Sequence, residues 1–198
     1  REREWQDLVA VPTAFETFRL PRLDRDEVLA WATEFTRTLD SSAEALYENV
    51  RVALGKRRGL DVLGVPLRLA MVCRLYAADE GLPDDLTVSR LYQDYWESRV
   101  RRDRRGRQTQ ESLRVEDAAL TIAKRIWTES ITRFVEDVPT LGADHATSRR
   151  QLLSEGVLKE TGLRASFFHQ TFAEFAVAKH LAHRAGDVDW ERLSAGLS

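Results

Sequence analysis

The sequence predicts a mainly α-helical protein, a small helical bundle followed by a winged-helix domain. Four amphipathic segments with short connections, between about residue 24 and residue 101, indicate the bundle. The second half has the order helix, short strand, helix and β-hairpin, which is the layout of a winged helix. Between the halves, the stretch RRDRRGRQTQES has no apolar period. We therefore expect the tail of a preceding domain over 1–22, the bundle over 23–108 and the winged helix over 109–198.

The first part of the chain changes from an extended to a helical pattern. Segment 9–23, VAVPTAFETFRLPRL, is broken by two prolines and predicts extended chain with an edge strand ending at Leu20. Asp24 and Glu27 then have the spacing of a capping box, which predicts the start of the first helix. Its predicted apolar face consists of Val28, Leu29, Trp31, Ala32 and Phe35.

Three more helices complete the predicted bundle. The second is expected over about 41–57, and Gly59 and Gly64 indicate the loop that follows it. Pro66 then opens the third helix, PLRLAMVCRLYAA, because proline is well tolerated in a first helical turn. This helix is the most apolar and is expected to be the most buried. The core-facing residues predicted in the second and fourth helices are Ala45, Leu46, Val50, Leu54, Val88, Leu91, Tyr92, Tyr95 and Trp96.

The winged-helix pattern begins near Ser112 with the helix LRVEDAALTIAKRIWTE, followed by the β-prone piece ITRFVEDV and a helix over about 143–154. Thr161 and Gly162 indicate the turn of a hairpin between two short strands. A last helix over about 171–183 closes the domain. Its predicted inward-facing residues are Phe172, Phe175, Ala176 and Leu181.

The composition is that of a globular protein with a sizeable core: 198 residues, 43% hydrophobic and 31% charged, with a formal net charge of -2. This balance excludes a chain that coats nucleic acid along its whole surface. The single cysteine, Cys73, cannot form an intramolecular disulfide or a thiolate metal cluster, which fits a reducing compartment. No apolar run reaches the roughly 20 residues that span a bilayer, and the start REREW has no signal-peptide pattern. We expect a cytoplasmic protein without membrane contact, and a piece of a longer chain because the first residue is not methionine.

The motifs by which a chain binds a triphosphate or a catalytic metal on its own are missing. Neither GxxxxGK[ST] nor GxGxxG nor HExxH occurs. His180 and His183 are spaced i,i+3, as metal ligands can be, but no third ligand is evident and we interpret both as solvated. We therefore expect no enzymatic activity, no catalytic residue and no metal site in this chain. The four histidines are His145, His169, His180 and His183.

Six arginines after the fourth helix raise the question of nucleic-acid binding, since each phosphate contact contributes through counterion release. The alternative is a solvated helix end, whose cations suit the C-terminal dipole, followed by a linker. The expected recognition helix, HATSRRQLLSEG, offers only Arg149 and Arg150 as strong contacts. We expect nucleic acid not to be a partner. The six are Arg99, Arg101, Arg102, Arg104, Arg105 and Arg107.

Two strings, GLDVLGVPLRLAMVCRLYAADEGLP and FFHQTFAEFAVAKHL, occur in this order and are separated by a helix and a small winged-helix pattern. In this arrangement the sequence resembles the helical and winged-helix domains that follow the nucleotide-binding core of NACHT-type STAND ATPases. These are signal-transducing NTPases related to NOD-like receptors. The resemblance extends from about Phe18 onward, and it departs from the family in that the Walker A and Walker B motifs are missing.

The resemblance implies a small set of nucleotide-binding residues. Gly64, Val65 and Pro66 stand at the family's Gly-x-Pro motif, whose proline packs against the adenine base. His169 stands at the winged-helix histidine that contacts the terminal phosphate of ADP, a task for which an imidazole donor is suited. ADP or ATP, with Mg²⁺, would be bound mainly by residues outside this chain. Two alternatives stay open: Pro66 merely starts a helix, and His169 is a polar residue at the end of a hairpin.

The function implied by the resemblance is that of a regulatory part of a signalling switch, closed with ADP and open with ATP, in immunity or antiviral defence. The implied partners are an upstream nucleotide-binding domain and, on activation, further copies of the same protein. A second hypothesis is a winged-helix DNA-binding transcriptional regulator, which salt-dependent binding to duplex DNA would reveal. A third is a passive helical interaction module without a nucleotide.

Overall fold

A computed structural model describes residues 22–37, 43–56, 59–76, 81–101, 109–130 and 137–185. Within these residues the protein is mainly helical, with eight α-helices and one small three-stranded sheet in its C-terminal part. The predicted fold class, a helical bundle followed by a winged helix, is confirmed. The predicted strand ending at Leu20 and residues 102–108 of the arginine run lie outside the described residues.

Helix α1 (Arg25–Arg37) begins at the predicted capping box. The Glu27 amide donates to Asp24 Oδ1 at 2.9 Å, and Glu27 Oε2 accepts from the Asp24 amide at 2.8 Å. Val28 and Ala32 are fully buried, as predicted. Trp31 was predicted on the same face but is 49% exposed. The neighbouring helices cover the side of α1 that carries Val28 and Ala32. Trp31 points roughly 60° around the helix axis from Val28, toward the edge of this covered side.

Helix α2 (Ala43–Gly55) packs against α1 and buries Leu46, Val50 and Leu54, as predicted. The prediction that Ala45 faces the core is wrong, since Ala45 is exposed. Consecutive residues of a helix are about 100° apart around the axis, so Ala45 lies beside the buried stripe that contains Leu46.

The connection to the third predicted helix is itself partly helical. Gly59 does not lie in a loop but begins the short helix α3 (Gly59–Leu63), which buries Val62 and Leu63. Gly64 does lie in the turn that follows, and helix α4 (Pro66–Leu75) has Pro66 in its first turn, as predicted. Helix α4 buries Leu69, Met71, Val72 and Cys73.

Helix α5 (Val88–Trp96) begins at Thr87, whose hydroxyl accepts a hydrogen bond from the Arg90 amide at 3.1 Å. Its buried face is the predicted one, Leu91, Tyr92, Tyr95 and Trp96, with Val88 half-buried at the edge. The helix continues as a π-helical turn over Glu97–Arg101.

Two arginines of this turn correct the prediction of a solvated helix end. Arg99 Nη1 lies 2.9 Å from a carboxylate oxygen of Glu155, and Arg101 Nε lies 3.2 Å from one of Glu116. Both acidic partners belong to the second half of the chain. The π-helical turn therefore lies against the winged helix.

The second half contains the predicted helix, strand, helix and hairpin. In order it consists of α6 (Gln110–Ser130), β1 (Asp137–Pro139), a 3-10 turn (Ala143–His145), α7 (Ala146–Ser154), β2 (Leu158–Thr161), β3 (Arg164–Phe167) and α8 (Gln170–Ala185). The strands form one antiparallel sheet in the order β1-β3-β2. Of the predicted β-prone piece ITRFVEDV, residues 131–136 lie outside the described residues.

The hairpin turn is shifted by one residue from the prediction. Thr161 pairs with Arg164, so the two turn residues are Gly162 and Leu163. Gly162 has φ 61°, a value that glycine adopts without the steric cost that other residues meet. The turn directs β3 back along β2 and delivers the chain to the start of α8.

The last helix buries Phe172 and Ala176 and packs Phe175 against the core, as predicted, but its buried face continues to His180 and not to Leu181. Phe172, Ala176 and His180, spaced four residues apart, are buried, whereas Leu181 is 38% exposed. His180 is thus not solvated, and Leu181 does not face the core. The reason is that His180 continues the buried stripe of α8, and the next residue lies about 100° away around the axis.

Phe172 is the centre of an aromatic cluster that joins the two halves of the fold. Its ring centroid lies 4.9 to 6.1 Å from six other rings, three of them on α5. Helix α8 therefore packs against α5 and α6 in one continuous core, and this packing fixes the position of the residue that precedes α8. The six rings are Tyr92, Tyr95, Trp96, Phe167, Phe168 and Phe175.

Candidate functional site

His169 lies between strand β3 and helix α8. The Phe168 amide donates to the carbonyl oxygen of Val157 at 3.1 Å, which holds the segment to the hairpin. The His169 carbonyl accepts from the amides of Phe172 and Ala173 at 3.1 and 3.0 Å, so His169 begins the hydrogen-bonding pattern of α8. Its ring is exposed. The backbone is therefore fixed while the imidazole remains accessible.

The hydrogen bonds of the ring determine where its proton lies. His169 Nδ1 is 3.1 Å from the Thr171 amide nitrogen and 2.9 Å from Thr171 Oγ1. A backbone N–H can only donate, so Nδ1 must be the acceptor and carries no proton. In the neutral ring the proton then lies on Nε2, which makes Nε2 a hydrogen-bond donor for a ligand.

The surroundings of His169 favour its neutral form and carry positive charge. Partial burial, followed by the positive charges of Lys159 and Arg68, lowers the pKa of His169 below its ordinary value, while Glu174 acts in the opposite direction. The lowered pKa favours the neutral imidazole over the imidazolium. The start of α8 adds the positive end of a helix dipole. Together these charges suit an anionic group, such as a phosphate, in front of the ring.

His169 also lines a cavity of about 540 Å³ between the end of α6, the hairpin and α8. Its wall is mainly apolar, with polar side chains that include Lys159 and Glu174 at the same cavity. Neither Gly64 nor Pro66 is among the described residues that line it. The lining residues are Ile126, Trp127, Ser130, Lys159, Ser166, Phe167, Phe168, His169, Gln170, Ala173, Glu174 and Val177.

Gly64 is held by its backbone against another part of the bundle. Its amide donates to the Leu60 carbonyl at 2.9 Å, and its carbonyl accepts from the Leu23 amide at 2.7 Å. A Cβ at this position would lie 2.7 Å from the Leu60 oxygen and 3.0 Å from the Leu23 oxygen. Close packing of two chain segments thus accounts for the glycine without reference to a ligand.

Pro66 is half-buried and occupies the first turn of α4, so it does start a helix. A contact of Pro66 with adenine stays a prediction. Helix α4 is nevertheless connected to His169 electrostatically, because Arg68, two residues after Pro66, contributes to the lowered pKa of the His169 ring. Arg68 Nη1 also donates to the Asp61 carbonyl at 3.1 Å, which holds its side chain over the α3–α4 turn.

The arginines of the expected recognition helix offer little to DNA. Arg149 Nε lies 3.4 Å from a Glu160 carboxylate oxygen and its side chain is mostly covered, so its charge is already compensated. Arg150 is exposed, but its Nε donates to the Ala146 carbonyl of its own helix at 3.4 Å. Together with the paired Arg99 and Arg101, this arrangement disfavours a phosphate-binding surface of the kind that DNA requires.

The two histidines at metal-ligand spacing have different surroundings, since His180 is buried and His183 is exposed. Among the described residues, no group of three or more His, Cys, Asp or Glu side chains is arranged to hold a metal ion. Over the same part of the chain, no helix combines the length and apolar character needed to cross a membrane.

The residues that surround His169 were not predicted as parts of its site. Thr171 could have been found, because a Ser or Thr at the start of a helix commonly bonds to groups two to four residues away in the sequence. Lys159, Arg68 and Tyr92 could not, since they come from distant parts of the chain and carry no local signal.

No protein-family model matches the chain, and no curated protein sequence matches it significantly.

Proposed function

We propose that this chain is the helical and winged-helix part of a NACHT-type STAND switch, in which His169 contacts the terminal phosphate of ADP held by an upstream nucleotide-binding core. The observation that carries the proposal is the state of the His169 ring. Its Nδ1 is engaged by Thr171, its Nε2–H is available to a ligand, and two cations lie close enough to influence it.

The energy of this contact suits a switch. A hydrogen bond between imidazole and a phosphate oxygen contributes about 1.5–3 kcal/mol when one partner is charged. Allosteric coupling between two sites is on the order of 1–3 kcal/mol, so this one contact can supply much of it. With ADP bound, His169 holds the winged helix to the core, and loss of the contact releases it.

The remaining parts of the proposal rest on the resemblance. Pro66 packs against the adenine base, and Mg²⁺ and the Walker motifs belong to the upstream core, so this chain alone has no ATPase activity. Opening of the closed form exposes surfaces for assembly with further copies of the protein. The pathway is a signalling or defence response inside the cytoplasm.

Calorimetric titration of ADP into the longer protein that includes the nucleotide-binding core tests the proposal. We expect His169→Ala to weaken ADP binding about tenfold or more, equivalent to about 1.4 kcal/mol, with the fold intact. His183→Ala is the matched control, since His183 is an exposed histidine on the same helix. Equal affinities of the wild type and the His169→Ala variant would exclude His169 as a nucleotide contact.

A further inference from the structure

His169 is joined to the helical bundle by two consecutive side-chain hydrogen bonds. Thr171 Oγ1 lies 2.9 Å from His169 Nδ1 and 2.6 Å from the hydroxyl oxygen of Tyr92. Tyr92 belongs to α5 and precedes Thr171 by 79 residues. The chain Tyr92–Thr171–His169 therefore crosses from the bundle to the winged helix.

The donor and acceptor of each of these hydrogen bonds can be assigned in turn. The Thr171 amide donates to Nδ1, so Nδ1 carries no proton. We assign the Thr171 hydroxyl, 2.9 Å away, as a second donor that shares the one lone pair of Nδ1. The single hydroxyl proton of Thr171 is then used. The Tyr92 hydroxyl is left to donate to Thr171 Oγ1. Each donor faces an acceptor, and the arrangement requires the proton of the neutral ring to lie on Nε2.

Packing holds Tyr92, the residue at the bundle end of these hydrogen bonds, in place. Tyr92 is only 4% exposed, and its ring lies 5.7 Å from Phe172 in an edge-on contact and 5.8 Å from Phe175. Two neighbours on α8 thus hold the ring of Tyr92, and its hydroxyl has a set direction. A shift of α5 relative to α8 would break the bond between Tyr92 and Thr171 Oγ1, and the Thr171 hydroxyl would then be free to rotate away from His169 Nδ1.

We propose that Tyr92 and Thr171 are positioning residues for His169, which hold the ring with Nε2–H toward a phosphate-bearing ligand and couple that contact to helix α5. The proposal rests on the proposed function for the identity of the ligand. It goes further in naming the two residues through which the helical bundle acts on the histidine.

The first test needs no nucleotide. In the 198-residue chain labelled with ¹⁵N-histidine, the two ring nitrogens of His169 are assigned by comparison with His169→Gln, above the pKa of the ring. We expect the signal of an unprotonated Nδ1 and a protonated Nε2. In Thr171→Val, which keeps the shape of the side chain without its hydroxyl, part of the population should change to the Nδ1–H form, and Thr171→Ser should restore the wild-type signals. A wild-type ring protonated on Nδ1, or a Thr171→Val ring identical to the wild type, would overturn the proposal.

The second test is a double-mutant cycle on ADP affinity in the longer protein. Tyr92→Phe keeps the aromatic ring and removes one hydrogen bond, and we expect it to weaken ADP binding about two- to tenfold. In the His169→Ala background the same substitution should have no effect, because Tyr92 acts only through His169. Tyr95→Phe is the control, since Tyr95 is equally buried and also packs on Phe172.

The outcomes of this cycle separate the two proposals. If His169→Ala weakens ADP binding and Tyr92→Phe does not, the coupling to α5 is refuted and the proposed function stands. If Tyr92→Phe weakens binding equally in both backgrounds, Tyr92 does not act through His169. If His169→Ala has no effect, the proposed function itself fails, and the proton positions measured by NMR still decide whether Thr171 orients the ring.

Discussion

The amide and the hydroxyl of Thr171 together favour the form of His169 that carries its proton on Nε2, and the proposed function depends on this local arrangement. A histidine at the end of a hairpin could expose either nitrogen. The N–H of Thr171, 3.1 Å from Nδ1, and its hydroxyl, 2.9 Å away, both favour Nδ1 as the acceptor and leave Nε2 as the donor. The alternative of a merely polar residue at a hairpin end therefore describes the position of His169 but not its specific bonding.

The lowered pKa of His169 has a consequence for stability. The unfolded chain binds a proton near the ordinary histidine pKa of about 6.5, whereas the folded chain resists protonation, so stability is lost as pH falls below that value. We expect the free energy of unfolding to decrease less between about pH 8 and about pH 5 in His169→Gln than in the wild type. Urea unfolding at the two pH values measures this, with His183→Gln as control. An equal decrease in His169→Gln and the wild type would show that the ring titrates freely in the folded state.

Gly64 is expected to tolerate no side chain. An added Cβ would lie 2.7 Å from the Leu60 oxygen and 3.0 Å from the Leu23 oxygen, and both are backbone atoms that cannot turn away. Gly64→Ala should reduce the free energy of unfolding by about 1–3 kcal/mol. Gly142→Ala, where a Cβ would meet no atom within 4 Å, is the control for urea denaturation. Equal stabilities of the two variants would show that the close approach at Gly64 is absent in solution.

At the scale of elements, the signals that proved accurate are those that act within one turn. The capping box at Asp24, the proline at the start of α4 and the positive-φ glycine of the hairpin each mark a boundary through neighbouring residues alone. Which side of a helix is buried is not decided by such local signals. Trp31 is exposed and His180 is buried because the position of the neighbouring helices, which no local pattern specifies, decides which side of α1 and α8 is covered.

The capping box of α1 gives a direct test of such a local signal. Asp24→Ala removes the carboxylate that accepts from the Glu27 amide, so the capping box loses one of its two hydrogen bonds. The substitution should reduce the free energy of unfolding by about 0.5–2 kcal/mol. Asp24→Asn retains an acceptor oxygen and should change stability by only a few tenths of a kcal/mol. Thermal unfolding of the three proteins compares them. If both substitutions cost the same, the side-chain acceptor does not hold the start of α1.

At the scale of the whole molecule, the two halves predicted as separate domains share one aromatic cluster. Phe172 from α8 packs against Tyr92, Tyr95 and Trp96 from α5, and Arg99 of the π-helical turn pairs with Glu155 after α7. The sequence predicted each half and the position of His169 between hairpin and helix. It could not predict the hydrogen bond between Tyr92 and Thr171, because a contact between residues 79 positions apart produces no local sequence pattern.

This shared core predicts a single unfolding transition for both halves. Phe172→Leu should lower the free energy of unfolding by about 1–3 kcal/mol, with tryptophan fluorescence and circular dichroism changing together. Leu163→Ala, at an 83% exposed turn position, should change it by less than about 0.5 kcal/mol. Two separate transitions, with only one affected by Phe172→Leu, would show that the halves unfold independently.

The central claim is that His169 connects the winged helix to a bound nucleotide through Nε2. An experimental structure of the longer protein with ADP bound tests it most directly, through the distance between His169 Nε2 and the nearest oxygen of the terminal phosphate. We expect about 2.7–3.2 Å, the range of an N–H···O hydrogen bond. A structure in which ADP occupies the core while the His169 ring faces away from it, or contacts only protein, would contradict the account.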